Sequence, residues 1–148
     1  MKIALGNDHG AVEYKDTIKA MLIEEGHEVI DCGTNSTDSC DYPDYGKAVA
    51  DKVVAGEAEK GIVICGTGIG ISIAANKVKG IRCGLCTNTT MARLTREHND
   101  ANVLAMGQRI IGIETAKDIV HTFLSTPFSN GERHKRRIEK ITEIENNQ

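Results

Sequence analysis

Three consecutive β-branched residues, Ile62–Ile64, stand directly before a cysteine and a glycine-rich segment, Gly66–Gly70. An unbroken apolar run of this length is typical of a strand that is covered on both faces, as the strands of a parallel sheet are. The glycines predict a tight turn, and the apolar residues beyond it predict a helix. This order of strand, turn and helix therefore favours a parallel sheet with helices on both faces.

The rest of the chain repeats the alternation of short apolar runs and helical patterns. We predict five strands, at Lys2–Leu5, Glu28–Asp31, Gly61–Cys65, Ile81–Cys86 and Val103–Met106. We predict helices at Ala11–Glu25, Tyr45–Ala55, Ile71–Lys77, Thr89–Glu97, Thr115–Leu124 and Glu132–Glu145. Asp44 is a candidate cap for the second helix, and Thr87 or Asn88 for the fourth. No linker or repeat divides the sequence, so we expect one domain over residues 1–148.

Composition excludes several functional classes. The 148 residues are 40% hydrophobic, as in a globular protein, and the net charge of -3 argues against nucleic-acid binding. The apolar runs are too short to span a bilayer, and the residues after Met1 do not follow the plan of a signal peptide. We therefore expect no membrane partner and a cytoplasmic location.

The five cysteines indicate a reducing compartment, because their number is odd and no framework of pairs is evident. Cys83 and Cys86 have the spacing of a redox or metal motif. They flank the interior of a predicted strand, however, and we interpret them as small core residues.

Polar groups concentrate after the predicted strands. Ligands of parallel sheets bind beyond the carboxyl ends of the strands. The segments at that edge are Asn7–Gly10, Gly66–Gly70, Thr87–Asn88 and Gly107–Arg109. The sequence therefore predicts a site built from these turns.

Cys65 and the glycine loop form the most specific feature of that edge. Glycines allow backbone amides to converge on an oxyanion without obstruction by Cβ atoms. The start of a helix adds positive potential, and such potential favours thiolates. A base beside an oxyanion site suits proton abstraction next to a carbonyl group.

Other interpretations of this segment remain. Gly66, Gly68 and Gly70 do not have the G-x-G-x-x-G spacing of dinucleotide-binding proteins, and no lysine follows them as in a P-loop. By composition alone, a tight turn with a buried cysteine is equally compatible. The hydrolase motif G-x-S-x-G is absent, and the five histidines are scattered without zinc-site spacing, so we expect no metal.

Five further positions combine a functional and a structural interpretation. Asp8 and His9 suit a sugar hydroxyl and a phosphate, but each could instead cap the first helix. His98 suits a general acid or base, or a helix C-terminus. Arg133 and Arg137 lie on one face near a helix start, where a phosphate dianion is favoured, although such charged helices usually face solvent.

Seven stretches of the sequence together resemble one family. They are Ile3–His9, Val29–Thr34, Asp41–Pro43, Ile64–Asn76, Gly80–Arg82, Arg96–Asn102 and Arg133–Arg137. These stretches resemble ribose-5-phosphate isomerase type B, whose family also includes galactose-6-phosphate isomerase subunits. The resemblance covers essentially the whole chain.

This resemblance implies a Rossmann-like α/β/α sandwich with a five-stranded, mainly parallel sheet. It implies a homodimer, sometimes a tetramer, with active sites at the subunit interface and a C-terminal helix that reaches toward the partner. It also implies metal-free, cofactor-free interconversion of ribose 5-phosphate and ribulose 5-phosphate through a cis-enediolate, in the pentose phosphate pathway.

The resemblance also assigns roles to individual residues. Cys65 matches the base that moves a proton between C1 and C2. The other matching positions are the oxyanion nest (Gly66, Thr67, Gly68, Ile69, Gly70 and Ser72), the ring-opening pair (His98 with Thr67), an enediolate ligand (Asn99), sugar contacts (Asp8 and Tyr42) and phosphate contacts (His9, Arg109, Arg133 and Arg137). Some relatives use a carboxylate further along this loop, but Asn76 and Lys77 offer none here. We expect some of the arginines to act across the dimer.

Alternative functions differ in substrate or in chemistry. A hexose 6-phosphate, allose 6-phosphate or galactose 6-phosphate, is the rival substrate. Galactose-type subunits generally lose the equivalents of Cys65 or His98, whereas this chain keeps both. A non-catalytic phosphosugar-binding module and a nucleotide-binding protein are further alternatives, because a fold alone excludes neither.

Overall fold

Five parallel strands form one sheet in the order β2-β1-β3-β5-β4 in the computed structural model, which describes residues 1–148. The strands are β1 (Lys2–Asn7), β2 (Glu28–Asp31), β3 (Lys60–Cys65), β4 (Cys83–Leu85) and β5 (Val103–Gly107). The helices are α1 (Val12–Glu24), α2 (Tyr42–Val54), α3 (Ile69–Asn76), α4 (Thr89–Asn99), α5 (Ile113–Ser125) and α6 (Glu132–Asn146). None of these helices combines the length and the apolar character that a membrane span requires. The predicted α/β sandwich is confirmed, and the sheet is parallel throughout.

The core lies on both faces of the sheet because successive strand residues point in opposite directions. Ile62 and Ile64 of β3 pack toward α1, α4 and α5, whereas Val63 and Cys65 pack toward α2 and α3. All residues from 61 to 65 are buried, as expected of a central strand. Cys65 is therefore directed to the face on which α3 begins.

The structure moves three predicted helix starts by two or more residues. Helix α5 begins at Ile113 rather than Thr115. Helix α2 begins at Tyr42 rather than Tyr45, because Pro43 fits the first turn and Asp41 takes the cap position. Asp44 lies inside that first turn and is not the cap, so this prediction is wrong. Helix α3 begins at Ile69 rather than Ile71, directly after Gly68, whose φ of 79° ends the turn.

An asparagine side chain fixes the start of α4, and another fixes the edge strand β4. Asn88 caps α4, since its side chain accepts a hydrogen bond from Met91 N–H at 2.8 Å. Strand β4 covers only residues 83–85, at the edge of the sheet. On its open side, the side-chain amide of Asn76 donates to the carbonyl of Cys83 at 3.0 Å and accepts its N–H at 2.8 Å.

Cys83 and Cys86 pack as the sequence suggested. Cys86 is buried in the core, and burial raises its pKa to about 12. Burial, together with neighbouring Cys86, raises the pKa of Cys83 to about 12. Both thiols are therefore protonated near neutral pH, which does not suit a redox or metal role.

A buried lysine ties α1 to the end of β2. The Lys15 side chain is 0% exposed and donates to Asp31 Oδ2 at 2.9 Å and to the Asn35 side chain. Asp31 Oδ1 accepts Gly33 N–H at 2.9 Å. Burial alone would raise the pKa of Asp31, but hydrogen bonds from Lys15, Gly33 and Lys19 outweigh burial, and the pKa lies below its ordinary value. The charged pair therefore fixes the loop that follows β2.

Asp31→Asn should lower the free energy of unfolding by about 3 kcal/mol at pH 7, because it leaves a buried ammonium without its carboxylate. Since the pKa of Asp31 is lowered by folding, its contribution is present above the ordinary value of 3.8 and is lost as the pH falls below it. Urea denaturation should show that the difference in unfolding free energy between Asp31→Asn and wild type is smaller at pH 3 than at pH 7.

The matched control for this pair is Asp16→Asn. Asp16 also faces Lys15, at 3.6 Å, but its side chain is 62% exposed, and its loss should cost less than about 1 kcal/mol. Equal losses in the two variants would contradict the assignment of the buried pair to Asp31.

Candidate active site

Strands β1, β3 and β5 end at one edge of the sheet, and the turns after them lie side by side. Cys65 pairs with Gly107 in register, so the segments after β3 and β5 begin together. Asp8 N–H donates to the carbonyl of Ile64 at 3.4 Å, and Arg109 N–H donates to that of Gly66 at 2.9 Å. The strand order changes direction between β1 and β3, and parallel sheets bind their ligands at such a point.

The glycine loop rests directly on the end of β5. A Cβ atom at Gly107 would lie 2.4 Å from the backbone of Thr67. Gly68 has a positive φ of 79°, and a Cβ there would lie 2.7 Å from the backbone of Met106. Only glycine at these two positions allows the loop to lie this close to the strand.

The Cys65 sulfur faces the loop that follows it. The residue is 4% exposed, and its Sγ accepts Gly68 N–H at 3.1 Å. A negative charge on this sulfur would therefore lie beside an N–H donor and beside the amino end of α3. The sulfur is not enclosed by aliphatic side chains alone, as it would be in a purely structural role.

Several amides of the loop are available to a ligand. The N–H groups of Gly66, Thr67, Gly70 and Ile71 donate no hydrogen bond within the chain. They lie at the loop and at the start of α3, where free amides and the helix dipole together attract anions. These amides form the donor set that an oxyanion would need.

The two predicted hydroxyl groups of this segment differ. Thr67 is exposed, and its Oγ1 accepts Ile69 N–H at 3.2 Å, so its proton is available to a ligand. Ser72 is 8% exposed and donates its proton to the carbonyl of Ile69 at 2.7 Å. Ser72 therefore stabilises the first turn of α3, and its hydroxyl proton is already used there.

Asp8 and His9 lie next to this loop. Asp8 Oδ1 accepts Gly10 N–H at 2.9 Å and caps the short 3-10 turn over His9–Ala11, while Oδ2 makes no hydrogen bond within the chain. His9 Nδ1 accepts the N–H of Cys40 at 3.2 Å. In the neutral ring, the proton is therefore on Nε2, which can donate to an anion.

Tyr42 and Arg109 border the loop on its other sides. The Tyr42 ring lies 2.7 Å from the position that a Cβ of Gly70 would occupy, and Arg109 Nε lies 3.5 Å from the equivalent position at Gly66. The structure thus brings eleven predicted site residues to the carboxyl edge. They are Asp8, His9, Tyr42, Cys65, Gly66, Thr67, Gly68, Ile69, Gly70, Ser72 and Arg109.

The four other predicted residues lie at the opposite edge. Helix α4 runs back from the end of β4, so His98 and Asn99 stand in its last turn, beside the start of β5. The His98 ring stacks on His134 of α6, with centroids 4.3 Å apart, so Arg133 and Arg137 are on this side too. Strand β3 alone places about 16 Å between the two edges. One chain does not bring these four residues to Cys65.

Residues outside the predicted set also shape the site. Cys40 N–H donates a hydrogen bond to the His9 ring, and Gly107 packs against the backbone of the glycine loop. Arg82 donates a hydrogen bond to a carbonyl at the end of α4. Gly107 belongs to the segment Gly107–Arg109, which the sequence predicted at this edge, although no role was predicted for Gly107 itself. Nothing in the sequence points to the contacts of Cys40 or Arg82.

Comparison with known proteins is consistent over the whole chain. The family model described as Ribose/Galactose Isomerase matches residues 3–141. The chain is 52% identical to ribose-5-phosphate isomerase B of Escherichia coli (strain K12) over 144 residues, 97% of this chain and 96% of the relative. The ribose-5-phosphate isomerase B structure from Clostridium thermocellum superposes with a TM-score of 0.97 at 56% identity, covering 99% of this chain and 98% of that one.

A third relative was solved with a ligand. The structure of ribose-5-phosphate isomerase B from Mycoplasma genitalium contains ribulose 5-phosphate. It superposes with a TM-score of 0.94 at 40% identity, covering 99% of this chain and 97% of that one. The resemblance that the sequence motifs indicated is confirmed, and the chain belongs to the ribose/galactose isomerase family.

Proposed function

We propose that this chain is an aldose-ketose isomerase that interconverts ribose 5-phosphate and ribulose 5-phosphate. The observation that carries the proposal is the Cys65 sulfur, held 3.1 Å from Gly68 N–H beside amides that have no partner in the chain. A protein that only binds phosphosugars has no need of a thiol at this point. The ribulose 5-phosphate bound to the Mycoplasma genitalium relative supports the choice of substrate.

The proposed reaction moves one carbon-bound proton. The Cys65 thiolate removes the proton on C2 of the open-chain aldose, and the electron pair of that bond forms a C1–C2 double bond while charge develops on O1. The free amides of the loop stabilise the resulting cis-enediolate. The sulfur then returns a proton to C1 as the O2 hydroxyl loses its own proton and O1 gains one. The atoms of the sugar are conserved, and no electrons are exchanged with an external group.

A second copy of the chain is the source we propose for the groups missing at the carboxyl edge. By two-fold symmetry, if the amino edge of one copy meets the carboxyl edge of the other, the reverse contact follows. Exposed apolar residues support such association. No residue of α6 is buried, and Ile141 and Ile144 face solvent on it. On α3, Ile69 and Ile73 are also exposed, next to the glycine loop.

In this homodimer, His98 of one copy meets the sugar bound at Cys65 of the other. It donates a proton to the ring oxygen of the closed aldose, while Thr67 orients the C1 hydroxyl. Asn99 contacts the enediolate. Arg133 and Arg137 join His9 and Arg109 at the phosphate, where guanidinium groups make strong charge-assisted hydrogen bonds. A tetramer would pair two such dimers. The five unpaired cysteines suit a cytoplasmic enzyme.

Turnover of three sugar phosphates tests this function directly. The purified protein should form ribulose 5-phosphate from ribose 5-phosphate at full rate in EDTA, because no step needs a Lewis acid. Allose 6-phosphate should react at least about tenfold more slowly, since one added carbon displaces C2 from the sulfur when the phosphate is held. Galactose 6-phosphate should not react. Isomerisation of a hexose phosphate with no turnover of ribose 5-phosphate, or loss of activity in EDTA, would contradict the proposal.

A further inference from the structure

The turn that ends α4 is held from outside the helix by one arginine. Arg82 Nε donates to the carbonyl of Asn99 at 2.8 Å, and Arg82 Nη2 donates to that of Asp100 at 2.9 Å. The last carbonyls of a helix have no partner within it, so these two acceptors depend on an external donor. Asp100 has a φ of 45°, a left-handed conformation that is uncommon for residues with a side chain, although less so for Asp than for most.

Arg82 is itself fixed on the sheet. Its N–H donates to the Asn102 side chain at 2.9 Å, and the next residue, Cys83, makes two hydrogen bonds with the side chain of Asn76. The guanidinium group therefore extends from an anchored backbone and reaches both carbonyls with one planar fork. A lysine has a single donor atom and cannot reproduce this geometry.

We propose that Arg82 is a positioning residue for His98. By holding the Asn99 and Asp100 carbonyls, it fixes the last turn of α4 and thereby the point at which the imidazole enters the partner's site. This inference rests on the proposed function, because it concerns the ring-opening step assigned to His98. Arg82 itself stays at the helix end and touches no substrate atom.

Arg96 makes comparable contacts but has a different role. It donates to the Asp100 carboxylate at 2.8 Å and to the carbonyls of Ala101 and Thr126, and it is 5% exposed. Its guanidinium also packs over Phe123 of the core. Arg96 therefore secures the helix to the body of the protein, whereas Arg82, which is partly exposed, can be replaced while water solvates the two carbonyls.

Two rates, turnover of ribose 5-phosphate and hydrogen exchange of ribulose 5-phosphate, distinguish a misplaced His98 from a general loss of stability. Turnover of ribose 5-phosphate requires ring opening. Exchange of the C1 hydrogen of ribulose 5-phosphate with deuterium oxide requires the Cys65 base and the groups that hold the enediolate, but not ring opening, because this ketose carries phosphate on O5 and cannot close a furanose ring. A variant with a misplaced His98 should lose turnover and keep much of the exchange. A variant that is merely less stable should lose both equally.

We expect Arg82→Gln and Arg82→Lys to lower the ratio of turnover to exchange by about 10- to 100-fold, in the same direction as His98→Asn. The matched control is Arg93→Gln on the same helix, since Arg93 pairs only with Glu97 on the exposed face, and its ratio should equal that of wild type. Light scattering verifies that each variant has the oligomeric state of the wild type.

The outcomes distinguish failure of the proposed function from failure of the inference about Arg82. If the wild type does not isomerise ribose 5-phosphate, the proposed function fails. If the wild type is active and His98→Asn lowers the ratio while both Arg82 variants keep it, the inference about Arg82 fails alone. Equal loss of both rates in the Arg82 variants, or a change of oligomeric state, would also overturn it in favour of a structural role.

Discussion

Replacement of Cys65 by alanine is expected to lower kcat for ribose 5-phosphate by about 1,000-fold or more while the fold is retained. A positioned general base contributes about 10²- to 10⁴-fold, and the loop Gly66–Gly70 contains no second base. Helix α3 contains no Asp or Glu, so a carboxylate further along it cannot take over. The small side chain lost should cost only about 1 kcal/mol of stability.

The control for this variant is Cys83→Ala, which removes a thiol of the edge strand far from the loop. It should change kcat by less than about twofold, since the Cys83 thiol is protonated and outside the site. Initial rates and urea denaturation of both variants measure activity and stability separately. Near-wild-type turnover by Cys65→Ala would place the base elsewhere.

Mixing two inactive variants should restore activity if each site uses two chains. Cys65→Ala and His98→Asn homodimers each carry one defect in every site. A heterodimer of the two has one site with both defects and one site with an intact Cys65 and an intact His98. Purified heterodimer should therefore have about half of the wild-type activity, whereas each parent should have less than about a tenth.

A rearrangement of the same substitutions provides the control. When the double variant Cys65→Ala/His98→Asn is paired with wild type, each site of the heterodimer carries one defect if sites are shared, and the heterodimer should be nearly inactive. If each site were formed within one chain, the results would reverse: the first heterodimer would be inactive and the second half-active. Two differently tagged chains, co-expressed and purified through both tags, allow the comparison.

The sequence predicted the parallel sheet and the glycine loop because both are encoded by neighbouring residues. The β-branched run at residues 62–64 and the glycines after it specify strand and turn locally, and the structure has both. Asn88 was one of two candidate caps, since its side chain bonds a backbone amide three residues away. The start of α2 was misplaced because Pro43 was not recognised as a first-turn residue.

The arrangement of the candidate site was less predictable. His98 was interpreted together with Cys65, although a helix that follows a parallel strand returns to the opposite edge, and this direction could have been derived from the alternation of elements. The contacts of Lys15 with Asn35 and of His9 with Cys40 join segments 20 and 31 residues apart. Such contacts depend on how a loop folds back over the sheet, which no local pattern specifies.

The pairing of Asn76 with Cys83 limits how copies of this chain can associate. A side-chain amide already occupies the backbone donor and acceptor that an incoming strand would need at the β4 margin. Growth by continuous strand addition is therefore blocked there. The two-fold contact between α3 and α6 that we propose would instead close at two subunits, without extending into fibres.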